Sequence, residues 1–73
     1  MPSKYPVCTS EDVFRALKKA GFWKVKQKGS HVKVTNGINI VIIPMHKEDL
    51  KTGTLKGILE QAGMSVEEFQ KYL

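Results

Sequence analysis

Trp23-Lys24-Val25-Lys26-Gln27-Lys28, Gly29-Ser30, His31-Val32-Lys33-Val34-Thr35, Asn36-Gly37, Ile38-Asn39-Ile40-Val41-Ile42-Ile43: this run decides the fold. Its apolar residues recur every second position, the period of a half-buried strand. Gly29-Ser30 breaks the first alternation, and His31 to Thr35 resumes it. Asn36-Gly37 between two β-rich runs is a hairpin signal, because both residues tolerate positive φ. Ile38 to Ile43 then reads as a third strand, which Pro44 ends. Three strands joined by short turns make an antiparallel sheet.

Working outward, the flanks are helical. Upstream, Thr9-Ser10-Glu11-Asp12 places hydroxyl caps and acids at a helix start. Val13, Phe14, Leu17 and Ala20 form its apolar stripe, and Gly21 ends it. Downstream, residues 45–53 read as a polar loop, and Thr52 or Thr54 can cap a helix buried through Leu55, Ile58, Leu59 and Ala62. Gly63 stops that helix, and Ser65-x-x-Glu68 is a capping box for a last short one. The expected class is α+β in the order α-β-β-β-α-α, with helices covering one face of the sheet. Seventy-three residues make one domain, residues 1–73, led in by a loosely ordered, proline-containing stretch over 1–8.

Parity divides the sheet into two faces. Val25, Val32, Val34, Ile38, Ile40 and Ile42 are expected inward. Lys24, Lys26, Lys28, His31, Lys33 and Thr35 are expected on the opposite face, joined by Asn39, Val41 and Ile43. A one-residue slip inverts such an assignment.

Composition narrows the chemistry. Twelve Lys and Arg against seven Asp and Glu give a net charge of +5, and all the cations but Arg15 are lysines. Lysine supplies mobile point charge, suited to phosphate contact more than to reading bases. A chain this short buries only ~60–65% of its unfolded surface, which leaves room for a shallow surface site. The single Cys8 excludes an internal disulfide and reads as an ordinary reduced thiol. No apolar run approaches the ~18 residues of a membrane span, and the first residues lack the apolar core of a signal peptide. A cytoplasmic protein without membrane attachment is expected.

Phosphate-binding and nucleotide-binding glycine motifs are absent, as is a G-x-S-x-G elbow. Two histidines and a remote cysteine do not make a zinc site, so neither metal nor cofactor is expected. The paired acids sit at helix starts or in a loop, where dipole complementation and solvation explain them. What remains is Lys28-Gly29-Ser30-His31. An imidazole moves protons near neutral pH, which attack of a ribose 2′-hydroxyl on its adjacent phosphate requires. Lys26, Lys28 and Lys33 can offset the developing negative charge. Gly29 would admit the phosphate to the backbone, and Ser30 could donate a hydrogen bond to it. A histidine opening a strand is equally an ordinary surface residue, and Gly-Ser equally a turn. His46 could assist only if its loop folds toward His31.

The pieces also occur as an ordered set: Ala20-Gly21-Phe22, Gln27-Lys28-Gly29-Ser30-His31, Ile43-Pro44-Met45-His46, Gly53-Thr54-Leu55, and Ile58 through Ser65. From about Ser10 to Leu73 the chain resembles the HicA toxins of prokaryotic toxin–antitoxin pairs. The resemblance implies a fold like double-stranded-RNA-binding domains and ribosome-independent cleavage of messenger RNA, and the scheme above requires no metal. By that likeness His31 is the catalytic residue, and a HicB-type antitoxin binds over the same region. Val41 and Ile43, if on the lysine face, would be contacts for it. Many relatives have a longer turn between the second and third strands than Asn36-Gly37 allows. Two other classes fit the residues alone: a non-catalytic RNA-binding module using the lysine face, and a protein-interaction domain whose charge serves solubility.

Overall fold

In the computed structural model, which describes residues 5–73, Thr9 opens the first helix with a reciprocal cap. Its hydroxyl oxygen accepts from the Asp12 N–H at 3.2 Å, and the Asp12 carboxylate accepts from the Thr9 N–H at 3.0 Å. These bonds, the backbone one foremost, hold the Asp12 carboxyl below its ordinary range. The elements follow as α1 (Ser10–Lys19), β1 (Trp23–Lys28), β2 (His31–Thr35), β3 (Ile40–Pro44), α2 (Thr52–Ala62) and α3 (Val66–Tyr72). The three strands form one antiparallel sheet in the order β1-β2-β3. This is the α+β architecture the alternation predicts, and it accords with the likeness to double-stranded-RNA-binding domains.

One core unites the helices with one side of the sheet. Val13, Ala16 and Leu17 of α1 meet Leu55, Ile58, Leu59 and Ala62 of α2, Phe69 of α3, and Val32, Val34, Val41 and Ile43 of the sheet. Gly63, in the left-handed conformation at φ 67°, ends α2. Ser65 and Glu68 form the capping box of α3. The cap of α2 differs from expectation: Lys51 holds the extended capping position without a side-chain bond, and Thr52 and Thr54 both lie inside the helix.

The expected faces need two corrections. In β3, Val41 and Ile43 are fully buried, whereas Ile40 and Ile42 are exposed. The pairing explains it: Thr35 faces Ile40, Val34 faces Val41 and Val32 faces Ile43. Residues directly opposite in an antiparallel pair share a face, so buried Val32 and Val34 require buried Val41 and Ile43. Any hairpin loop with an even number of residues enforces this, including the two-residue turn read from Asn36-Gly37. The actual loop has four residues, 36–39, and places Ile38 in solvent at 88% exposure. Asn36 Oδ1 builds it by accepting from the N–H groups of Ile38 and Asn39, and Thr35 Oγ1 donates to the Asn39 carbonyl.

The second correction lies in β1. The register slips between Lys24 and Lys26, so Val25 is the extra residue of a β-bulge. Val25 is 51% exposed instead of inward. Lys24 faces Val34 and so belongs to the helix side of the sheet, where its Nζ donates to Gln27 Oε1 at 3.2 Å. Every residue of β1 is exposed, because the helices cover β2 and β3 and stop short of it.

Residues 1–4 of the expected lead lie outside the described residues. At its other end Cys8 is buried, Tyr5 packs on the core, and the Cys8 carbonyl accepts from the Leu50 N–H at 2.9 Å. Burial, with Asp12 and Asp49 nearby, pushes the Cys8 thiol up, away from the reactive thiolate.

Candidate nucleic-acid interface

The open face of the sheet carries three cross-strand rows. Trp23, Thr35 and Ile40 form the first; Lys26, Lys33 and Ile42 the second; Lys28, His31 and Pro44 the third. The bulge makes this grouping possible. Without an extra residue between them, Trp23 and Lys26 would fall on opposite faces, being three positions apart.

The second and third rows enclose a shallow pocket of about 230 Å³ lined by Lys26, Lys28, His31, Lys33 and Ile42. Three cations and one imidazole thus converge with no carboxylate among them, on an apolar floor supplied by Ile42. Such a surface attracts an anion of phosphate size and places a proton-transfer group beside it. Lysine stems can cover apolar surface such as Ile42 while the ammonium heads reach toward solvent.

Local structure sets His31 at the pocket's end. Lys28 pairs with His31, leaving Gly29-Ser30 as a two-residue hairpin turn with positive φ (58°) at its first position. That is the type II′ arrangement, for which glycine is the ordinary first residue. The Gly29 Cα is open, with nothing within 4 Å of where a Cβ would stand. Its carbonyl accepts from Gln27 Nε2, while the Ser30 carbonyl accepts from the Met45 N–H at 2.6 Å. The turn is therefore pinned to the segment after β3, and Ser30 itself stays exposed.

That segment is held in turn by Ser10, whose side chain is fully buried. Its hydroxyl donates to the Pro44 carbonyl and accepts from the His46 N–H. Since Pro44 pairs with His31, Ser10 ties the start of α1 to the row carrying the imidazole. Nothing local in the sequence marks Ser10 for this; a serine beside a capping threonine reads as a second cap.

Of the predicted site residues, Lys26, Lys28, His31 and Lys33 are brought together, and Gly29-Ser30 forms the turn beside them. His46 is not: it lines a different pocket with Thr9, Glu11, Met45 and Lys47. Lys24 is lost to the other side, and Val41 and Ile43, buried, are removed as surface contacts. Ile42, which the sequence reading expected inward, and Trp23, to which it gave no site role, lie on the site's face. The corrected hairpin parity would have found Ile42, whereas Trp23 is concealed by a bulge that no local residue pattern announces.

No helix among the described residues is long and apolar enough to cross a membrane. Against known protein families, residues 10–64 match the family described as the HicA toxin of bacterial toxin–antitoxin systems. No curated protein matches the chain. The matched span runs from the Ser10 clamp through the lysine-histidine pocket to the end of α2, and so takes in every residue that lines the pocket.

Proposed function

Since the chain belongs to the HicA toxin family of toxin–antitoxin systems, we propose that it is a metal-independent endoribonuclease that cleaves messenger RNA in the cytoplasm. The observation that carries this reading is the convergence of His31 with Lys26, Lys28 and Lys33 in one carboxylate-free pocket. A ribose 2′-hydroxyl attacks the adjacent phosphorus, the bond to the 5′-oxygen breaks, and a cyclic phosphate and a 5′-hydroxyl result. The 2′-oxygen must lose a proton and the 5′-oxygen must gain one. His31 performs one of these transfers, with water completing the other. The lysines offset charge growing on the phosphate. Gly29 lets the backbone come close, and the exposed Ser30 hydroxyl is free to donate. A HicB-type antitoxin neutralises the toxin by covering this pocket, and Ile42 replaces Val41 and Ile43 as the apolar contact available to it.

The test is to incubate the purified chain and its His31→Ala variant with messenger RNA in the presence of a chelator. Discrete fragments from the parent alone are expected. If neither protein cuts but both bind RNA in a salt-sensitive way, the chain is a non-catalytic RNA-binding module. Cleavage by the variant at the parental rate would remove His31 from the mechanism.

A further inference from the structure

The row beside the pocket holds the only tryptophan of the chain. Trp23 is 50% exposed, and its Cη2 lies 3.6 Å from the position a Cβ would take on Gly37. The ring thus approaches the β2–β3 turn at one edge, and half of the residue stays exposed. Across the row Ile40 is 58% exposed. A half-buried aromatic of this size normally completes a core; among the described residues this one does not belong to the core cluster.

Three occupants can be weighed for the face. A second copy of the chain would set lysine rows against lysine rows, which repel. Strand addition at the β1 edge is discouraged by its lysines and its bulge, and would leave the open face uncovered. A single nucleic-acid strand fits both halves of the surface: phosphates beside Lys26, Lys28 and Lys33, and a π-surface for a base next to them. Measured along β2, the Trp23 row stands about 13 Å from the His31 row, four residues at ~3.3 Å each, within the span of a short oligonucleotide.

We propose that Trp23 is a stacking platform for an unpaired base of the RNA, which makes single-stranded RNA the preferred substrate class. The inference rests on the ribonuclease reading above and adds a specificity-determining residue to it. In a duplex the bases are stacked on each other and their faces are closed to a side chain, so selectivity for single strands follows. Stacking is tolerant of base identity, because every base has a π-face.

Trp23 reports on its own environment, being the sole indole. The probe is a short 2′-O-methyl oligoadenylate, which lacks the attacking hydroxyl and survives the titration of the parent protein. Quenching of tryptophan emission on binding is expected, with little change from the same strand annealed to its complement or from tripolyphosphate. Trp23→Ala should weaken binding of the single strand roughly five- to a hundred-fold, and Trp23→Phe should restore most of it. Equal quenching by the duplex, or a Trp23→Ala variant of correct fold by circular dichroism that binds as tightly as the parent, overturns the proposal. Messenger RNA cleavage that persists alongside such a result leaves the ribonuclease reading standing without the platform. If the oligoadenylate does not bind and messenger RNA is not cut, the ribonuclease reading fails and the platform fails with it. A Trp23→Ala change that weakens only the hold of a protein antitoxin also overturns it, assigning the face to that partner.

Discussion

At the residue scale, His31 and Ser10 make opposite demands. His31 is exposed, and among the described residues no hydrogen bond or ion pair of its side chain holds the fold together. His31→Ala should therefore leave the melting temperature near the parent's while cleavage falls by about 10²–10⁴, the usual worth of a proton-transfer group. Ser10 is buried with a bond in each direction, to Pro44 and from His46. Ser10→Ala leaves those backbone groups unsatisfied and should cost about 1–3 kcal/mol in chemical denaturation. Because Pro44 pairs with His31, cleavage should also fall, by less than the histidine change causes. Sequence chemistry singles out His31 as a candidate, and the fold sets it beside Lys26, Lys28 and Lys33. Ser10 was not legible, since its partners lie 34 and 36 positions away and only the folded chain brings them to it.

At the element scale, the deciding features are a loop and a bulge. Caps and stops read well from sequence because they are local: the Thr9 and Ser65 boxes and the Gly63 stop depend on neighbours within three or four positions. The faces read less well because they depend on pairing. The inward expectation for Ile40 and Ile42 failed because alternation gives a period without a phase. The phase of β3 comes from how many residues the turn contains. In β1 the phase changes midway at Val25, and an alternating sequence shows no sign of it. A contrast between two deletions tests the reading. Removing Val25 takes out the unpaired residue and keeps Trp23, Lys26 and Lys28 on the open face, so cleavage should stay within a few-fold of the parent. Removing Gln27 instead turns Lys26 toward the helix side. Cleavage should then drop at least about tenfold, the worth of roughly one charge-assisted contact of ~1.5 kcal/mol.

At the scale of the whole molecule, the positive charge is unevenly placed. A net charge of +5 is modest, yet three of the lysines share one pocket with His31. If those three neutralise phosphates, the logarithm of RNA affinity should fall with the logarithm of salt at a slope of about −2, and each Lys→Ala change should reduce the slope by ~0.7. A slope near zero would place the contacts elsewhere. Buried apolar surface is shared out unevenly: β2 and β3 each contribute two buried residues to the core, and β1 contributes none. β1 nonetheless carries Trp23, Lys26 and Lys28, while His31 sits on β2. Fraying of β1 costs its ladder bonds and little else, a local opening far below the cost of global unfolding. If those lysines hold phosphate as proposed, gentle warming should strip them from beside the imidazole while the core stays shut, so that cleavage is lost before the protein melts and returns on cooling.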